Sequence, residues 1–266
     1  TKMAARGGIR SNVQLAFTFM KTFFAKPISL AAAFALAPSI FAAELGEPAA
    51  PLEISEWIRG EPVDLPAVKG KKIVVVEFWA TWCGPCRVSI PHLTEMQKKF
   101  AKRDVIMIGV SDETSAKVKP FVDSMGDKMD YTVALDKDGK TSAGYMERYG
   151  INGIPHAFVV DKEGRIAWHG HPMSGLVRVL EQMAANTFDL AVEKKRLGAQ
   201  QKIQEYFEMA MKGEGDAALD KLGAQIAALD KELGGIDPEQ KLDLADLRKS
   251  ARFQSVMRDY QRAIVS

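Results

Sequence analysis

Cys83 and Cys86 are the two cysteines of this 266-residue chain, and Gly84 and Pro85 separate them. Any disulfide within one molecule must therefore join these two residues. Such a bond closes a very short loop and removes little entropy from the unfolded chain, so it would stabilise a fold only weakly. The pair instead favours redox chemistry, in which one thiolate attacks a disulfide and a second thiol releases the product.

The segments around the pair indicate how it would be positioned. Residues 73–80 form an apolar, β-branched run that predicts a strand, and residues 84–101 predict a helix with Pro85 in its first turn. Cys83 then lies at the helix N-terminus. Unpaired N–H groups and the helix dipole stabilise a thiolate there and lower thiol pKa values to about 3.5 to 7.5. We predict that Cys83 attacks and that Cys86, a turn further on, resolves the mixed disulfide.

Two segments of the chain resemble the thioredoxin superfamily. Residues 78–87, Phe-Trp-Ala-Thr-Trp-Cys-Gly-Pro-Cys-Arg, are similar to the thioredoxin active-site segment almost residue for residue. Residues 150–161 resemble the segment whose proline forms a cis peptide bond beside the cysteine pair. The resemblance implies that Pro155 is cis and that the backbone of Ile154 pairs with an extended substrate segment.

The resemblance also implies a substrate surface around the cysteine pair. Its members would be Trp82, Gly84, Pro85, Ile154, Pro155 and His156. His156 stands where thioredoxin usually has threonine, and it could tune the thiolate or contact substrate. An imidazole that faces solvent or satisfies a backbone carbonyl is the alternative interpretation.

Glu77 occupies the position of the family's buried acid, inside the apolar run. Burial would raise the pKa of this carboxyl, which could then accept or return the proton of Cys86. A partly solvated strand residue is the alternative. Thioredoxin pairs its acid with a lysine on a neighbouring strand, and the expected neighbour, residues 105–110, contains none. We therefore expect proton transfer through water.

The middle of the chain alternates between strand and helix patterns. Strands are expected at 61–65, 73–80, 105–110, 131–135, 156–161 and 165–169, and helices at 84–101, 114–124, 140–149 and 174–186. The pattern predicts an α/β fold in which a central mixed sheet is flanked by helices. A strand and a helix are inserted after 105–110, so the chain resembles the exported TlpA/ResA group of thiol-disulfide oxidoreductases. The thioredoxin-like domain is expected to cover residues 50–186.

The N-terminal region predicts export. Residues 20–43 combine a short basic start at Met20, an apolar stretch and a region suited to cleavage, which is typical of a signal peptide. Residues 1–19 fit poorly before it and are interpreted as a non-native or upstream extension. The apolar stretch is too short for an ordinary membrane span. We expect a periplasmic or otherwise exported protein; a membrane anchor that leaves the thioredoxin domain outside the cytoplasm is the alternative.

Residues 187–266 predict an all-α extension, because apolar residues recur at helical spacing between glycine-containing breaks. Asp216 is expected to cap the second helix, and Asp237, Pro238 and Gln240 suit the start of the third. The apolar set of the third helix is Leu244, Leu247, Phe253, Val256, Met257 and Tyr260. These helices would pack on the core or on each other; docking of a protein partner or dimerisation is the alternative.

Charge and composition argue against several other classes of function. A net charge of +2 with no block of basic residues gives no reason to expect nucleic-acid binding. One cysteine pair supplies two of the four ligands of a structural zinc site, and nothing places His169 and His171 near Cys83. We predict no metal site and no cofactor.

The sequence thus predicts an exported thiol-disulfide oxidoreductase that acts on protein cysteines. The Gly-Pro pair between the cysteines resembles that of reducing thioredoxins, which favours reduction of substrate disulfides. In an oxidising compartment, that direction requires a membrane electron donor. A peroxiredoxin-like thiol peroxidase is one alternative, although the proline and threonine that precede the reactive cysteine in that family are absent. A non-enzymatic adaptor that uses the C-terminal helices is the other.

Overall fold

The computed structural model describes residues 43–238 and 241–265. Within them, six strands form one sheet in the order β1-β4-β3-β2-β5-β6. The strands are β1 (Ile54–Arg59), β2 (Ile73–Phe78), β3 (Val105–Ser111), β4 (Thr132–Asp136), β5 (His156–Val160) and β6 (Ile166–Gly170). β2, β3 and β4 are parallel, whereas β1, β5 and β6 are antiparallel to their neighbours. The predicted mixed sheet is confirmed.

Helices connect the strands and cover both faces of the sheet. They are α1 (Leu65–Val68), α2 (Gly84–Phe100), α3 (Ser115–Met125), α4 (Lys140–Ser142) and α5 (Leu176–Ala184). α2, α3 and α5 build the apolar layer on one face, which contains both cysteines and is called the α2 layer below. The opposite layer is filled from a π-helical turn at Ala143–Glu147, from the segment before β1 and, in part, from α1.

β2 is the central strand, and all of its residues are buried. A strand buried on both faces reads as a continuous apolar run, as this one does. Successive side chains point to opposite faces, so Val75 enters the α2 layer and Val76 enters the opposite layer. By the same alternation, Glu77 lies on the α2 side. β2 ends just before the cysteine pair, which therefore sits at the carboxyl end of the central strand.

The segment before β1 packs against the outer edge of the sheet instead of forming a free lead-in loop. The Gly46 N–H donates to the Ile166 carbonyl at 2.7 Å, and the Ile166 N–H donates to the Glu47 carbonyl at 2.9 Å. Leu45 is buried beside them. These bonds cover part of the β6 edge. The predicted signal peptide, apart from Ala43, and residues 1–19 lie outside the described residues.

Two predicted elements of the sheet domain need correction. The edge strand expected at 61–65 is wrong: the strand is β1, which pairs antiparallel with β4. Pro62 has no N–H for a ladder hydrogen bond, and Pro66 lies in the first turn of α1. The helix expected at 140–149 is only one short α-helical turn, α4, followed by the wider π-helical turn.

The C-terminal extension is helical, as predicted. It consists of α6 (Leu190–Lys212), α7 (Asp216–Glu232) and α8 (Leu244–Val265). These helices share an apolar cluster of their own, centred on Tyr206, Leu219 and Ile226. Gly213 caps the C-terminus of α6 with a φ of 74°, a left-handed conformation that favours glycine. None of the helices in the described part of the chain is long and apolar enough to cross a bilayer.

The predicted helix starts in this extension are wrong. Gly215 occupies the N-cap of α7, and Asp216 is its first residue. α8 begins at Leu244, beyond the predicted Asp237 and Pro238, while Gln240 lies outside the described residues. Asp243 supplies the cap, because its Oδ1 accepts from the Asp246 N–H at 2.9 Å.

The apolar set predicted for the third helix is divided between two sides of α8. Leu244 and Leu247 pack against the helical cluster, where Ala251 is buried. The remaining four residues are exposed: Phe253, Val256, Met257 and Tyr260. Regular spacing alone does not show that only the first two of the six residues contact the helical cluster.

Candidate active site

Cys83 and Cys86 form a disulfide at the N-terminus of α2. Cys83 is the N-cap, and its Sγ accepts from the Cys86 N–H at 3.1 Å. Pro85 lies in the first turn, where its missing N–H costs no hydrogen bond. Cys83 is 3% exposed and Cys86 is fully buried. An attacking thiol from another protein therefore reaches Cys83 first.

The cis-proline segment faces the disulfide. The Ile154–Pro155 peptide bond is cis, as the resemblance implies. β5 starts directly after it and pairs antiparallel with β2, which places His156 opposite Phe78. The Ile154 carbonyl oxygen lies 3.8 Å from the Cys83 Sγ. The Ile154 backbone and the Cys83 sulfur thus lie next to each other at the end of the sheet.

Glu77 is 1% exposed and lies in the middle of the sheet. Its neighbours across the two ladders are Gly109 on β3 and Ala157 on β5. Neither carboxylate oxygen has a hydrogen-bond partner within residues 43–238 and 241–265. Burial raises the pKa of this carboxyl to about 8, since a buried charge without a partner is disfavoured. Glu77 is thus a proton-carrying acid near pH 7 on the same side of the sheet as the disulfide.

The comparisons with known proteins are consistent with this geometry. The AhpC/TSA family matches residues 45–169. ResA, a thiol-disulfide oxidoreductase of Bacillus thuringiensis subsp. konkukian, is 33% identical over 124 residues, which cover 46% of this chain and 67% of the relative. The chain belongs to the ResA-like family of thiol-disulfide oxidoreductases. The ResA of Bacillus thuringiensis strain Al Hakam is 36% identical over 110 residues, or 41% of this chain and 60% of that protein.

The similarity to the ResA-like family is confined to part of each protein. The chain spans about 60% of the length of several of these relatives. A thiol:disulfide interchange protein of the thioredoxin family from Chlorobium tepidum has 28% identity and a TM-score of 0.44, over 53% of this chain and 98% of that one. The matched family segment ends at residue 169, before α6, α7 and α8.

Glu113 is a residue of this site that the sequence patterns did not single out. Its carboxylate accepts from the Thr81 N–H at 2.6 Å and from the Thr81 hydroxyl at 3.0 Å. These bonds hold the loop that leads into Cys83. A signal existed, because β2 and β3 are parallel and a residue just after β3 must lie beside the loop that follows β2.

His156 and His169 form a pair on the sheet face opposite the α2 layer. The His156 Nε2 and the His169 Nδ1 are 3.1 Å apart, so one nitrogen donates and the other accepts. Burial lowers the pKa of His156 to about 3, with a contribution from His169, and lowers that of His169 to about 4. His156 thus satisfies another imidazole instead of a backbone carbonyl. Its contact with substrate stays a prediction.

The rim of the disulfide consists of exposed residues that are apolar apart from Arg87. Trp82 is 72% exposed and Val88 is 68% exposed, and Gly84 and Pro85 are also accessible. A cleft beside the rim, lined in part by Trp82 and Ile154, has a volume of only about 80 Å³. Small-molecule sites typically enclose about 300 to 1,000 Å³. The rim therefore suits a protein segment laid across it better than an enclosed small ligand.

No group of three or more His, Cys, Asp or Glu in the described ranges is arranged to hold a metal ion. His169 lies at the end of β6, where its ring contacts Tyr149 and Phe158 of the layer opposite the α2 layer, and His171 follows the strand. This ResA-like site brings together the two sulfurs, the Glu77 carboxyl and the Ile154 backbone.

Proposed function

We propose that this protein is an exported thiol-disulfide oxidoreductase that reduces disulfides of other proteins through Cys83 and Cys86. The observation that carries the proposal is the disulfide at the start of α2, with the Cys86 N–H directed at the Cys83 Sγ. In the reduced protein, this N–H and the helix dipole stabilise a thiolate on Cys83. In the proposed cycle, the 83–86 disulfide is the form left after a substrate has been reduced.

The reaction proceeds by two thiol-disulfide exchanges. The Cys83 thiolate attacks one sulfur of a substrate disulfide, forms a mixed disulfide and releases the other substrate sulfur as a thiolate. Cys86 passes its proton, through water, to the fraction of Glu77 that is in the carboxylate form, and the resulting thiolate attacks the Cys83 Sγ and closes the 83–86 disulfide. The second substrate thiolate leaves at this step. Two electrons pass to the substrate, so an external dithiol donor must reduce the protein before the next cycle.

The surface around the disulfide favours an extended polypeptide as substrate. The apolar side chains of Trp82 and Val88 are accessible, and the Ile154 carbonyl oxygen lies 3.8 Å from the Cys83 Sγ. Main-chain pairing of this kind accepts many sequences, because it relies on backbone groups. We infer that Trp82 and Ile154 position the target disulfide against Cys83.

The direction of exchange and the compartment are inferred from the sequence. The Gly-Pro pair between the cysteines favours reduction, and residues 20–43 favour export. A reductase in an oxidising compartment depends on electrons carried across the membrane, so we propose a membrane protein as the electron donor.

The equilibrium redox potential of the 83–86 pair tests the direction of exchange. Protein lacking residues 1–43 would be equilibrated against ratios of reduced and oxidised dithiothreitol, and free thiols would be counted by mass after alkylation. We expect a value near that of thioredoxin, about −270 mV. A value near −120 mV, that of a strong oxidant, would contradict the reductase proposal.

Export requires a separate test. Residues 20–43 fused to alkaline phosphatase, an enzyme that needs disulfides to be active, should give activity in intact cells, with the same fusion lacking residues 20–43 as control. Equal activity of the two fusions would contradict export. A fusion protein that is shortened and released from the membrane would indicate a cleaved signal peptide, whereas one that stays in the membrane at full length would indicate an anchor.

A further inference from the structure

Three buried side chains in the α2 layer carry polar atoms without a hydrogen-bond partner in the described part of the chain. They are the carboxylate of Glu77, the indole Nε1 of Trp79 and the hydroxyl of Tyr131. All three residues are at most 5% exposed. Leaving one such group unpaired in a protein interior costs about 1 to 3 kcal/mol. Three together in one layer therefore require an explanation.

The three groups converge on Gly109. Glu77 is the direct neighbour of Gly109 across the β2–β3 ladder, and Trp79 lies two residues further along the same face of β2. A Cβ on Gly109 would lie 2.9 Å from the Trp79 Nε1 and 3.0 Å from the Tyr131 Cε2. The Cε2 atom is adjacent to the ring carbon that bears the hydroxyl. Gly109 thus lies against the polar edges of both rings.

The hydrogen-bonding capacities of these groups are complementary. The indole N–H can only donate, an ionised carboxylate can only accept, and the tyrosine hydroxyl can do either. A water molecule accepts two hydrogen bonds and donates two, and buried waters typically make about three. One water could therefore accept from Trp79 and Tyr131 and donate to Glu77, which would satisfy all three groups.

We propose that Trp79 and Tyr131 bind a buried water that donates a hydrogen bond to Glu77 and stabilises its carboxylate form. In this role the water and its two donors replace the lysine that β3 lacks. Tyr131 is a positioning residue, since it acts on Cys86 only through Glu77. The inference rests on the exchange reaction proposed above, in which Glu77 takes the proton of Cys86.

Few other ionisable groups lie close enough to change the ionisation of Glu77. Cys83 and Cys86 of α2 and Tyr131, just before β4, share the α2 layer with Glu77. β3 and β5 place Gly109 and Ala157 directly beside it. The described residues that α3 and α5 contribute to this layer are apolar. The pKa of Tyr131 is raised by burial and also by the Glu77 charge, as expected for neighbouring groups.

The test compares the ionisation of Glu77 in the wild type and in Tyr131→Phe. Infrared difference spectroscopy of the carboxyl band between pH 5 and 10 would measure the midpoint of ionisation in each protein. Loss of one neutral hydrogen bond to the water should raise the midpoint of Glu77 ionisation by about 0.5 to 1 pH unit. Tyr145→Phe is the matched control, because Tyr145 is buried in the opposite layer and donates to the Ala50 carbonyl. Glu77→Gln identifies the band.

The outcomes separate this inference from the proposed function. An unchanged midpoint in Tyr131→Phe, or an equal shift in Tyr145→Phe, would overturn the role of Tyr131 even if disulfide exchange is intact. A shift confined to Tyr131→Phe would support it even in protein that reduces no substrate. Gly109→Ala, which crowds the same rings, gives a second measurement and should shift the midpoint in the same direction if the variant folds.

Discussion

Replacement of Glu77 by glutamine should change how the stability of the oxidised protein depends on pH. The pKa of Glu77 is raised by burial from an ordinary 4.5 to about 8. Between these values the folded state binds a proton that the unfolded state has lost. The free energy of unfolding therefore falls as pH rises through this window, by about 1.4 kcal/mol per pH unit. Between pH 4.5 and pH 7 the loss is about 3 kcal/mol.

Glutamine cannot ionise, so the variant should not show this loss. Relative to the wild type, Glu77→Gln should gain about 3 kcal/mol of stability between pH 4.5 and pH 7. Taking the difference between the two proteins cancels the titration of the histidines, which both retain. Glu95→Gln is the matched control, since Glu95 is exposed on α2.

Urea unfolding of the oxidised proteins at intervals of half a pH unit would measure the effect. Parallel stability profiles for wild type and Glu77→Gln would refute the conclusion that Glu77 is buried without a charged partner. The same variant should release a Cys83 mixed disulfide about 100-fold more slowly near pH 8, because general acid–base catalysis typically contributes at least that factor. Equal release rates would reject the proton transfer but would leave the stability argument intact.

Three further predictions concern the surroundings of the disulfide. The lowered pKa values of His156 and His169 stabilise the protein above pH 6.5, and this contribution is lost as pH falls toward 4. As pH falls, the free energy of unfolding of His169→Gln should therefore decrease less steeply than that of the wild type, with a difference in slope of about 1.4 kcal/mol per pH unit. Parallel urea-unfolding profiles of the two proteins would contradict this. The free energy of unfolding of Glu113→Gln, measured in urea, should be about 1 to 3 kcal/mol lower than that of the wild type, because the charged acceptor of the Thr81 N–H and hydroxyl is lost. Unchanged stability would show that other contacts hold this loop. Trp82→Ala should raise KM for a disulfide-containing protein such as insulin and leave unfolding unaltered, since Trp82 is exposed; an unchanged KM would remove it from the substrate surface.

The central part of the fold could be predicted because several signals coincide there. β2 reads as a buried strand from its apolar, β-branched residues, and Pro85 marks the first turn of α2. The family resemblance covers the same segments and adds the cis peptide bond before Pro155, which local chemistry alone does not indicate.

Elements outside this region depend on contacts that a local pattern does not contain. β1 exists because the edge of β4 is available for antiparallel pairing, whereas its own sequence alternates weakly. In α8, Leu247 and Phe253 have similar hydrophobicity, but only Leu247 contacts α6 and α7. Tertiary packing determines which of them is covered.

The polar groups of the site show the same limit. Glu77 stands out in the sequence because it is an acid inside an apolar run and because the resemblance assigns a buried acid to its position. Glu113 and Tyr131 are ordinary residues near strand ends, and their positions beside Thr81 and Gly109 result from the strand register. Predicting them would have required the parallel order of β2, β3 and β4 in advance.

Trapping of the mixed disulfide tests the central claim most directly. Reduced Cys86→Ser protein would be mixed with oxidised insulin, and the products would be separated without reductant and mapped by mass spectrometry. We expect a covalent adduct through Cys83 that dithiothreitol removes, and little adduct with Cys83→Ser. An equal or faster adduct through Cys86 in the Cys83→Ser protein, or none with either variant, would contradict an exchange reaction initiated by Cys83.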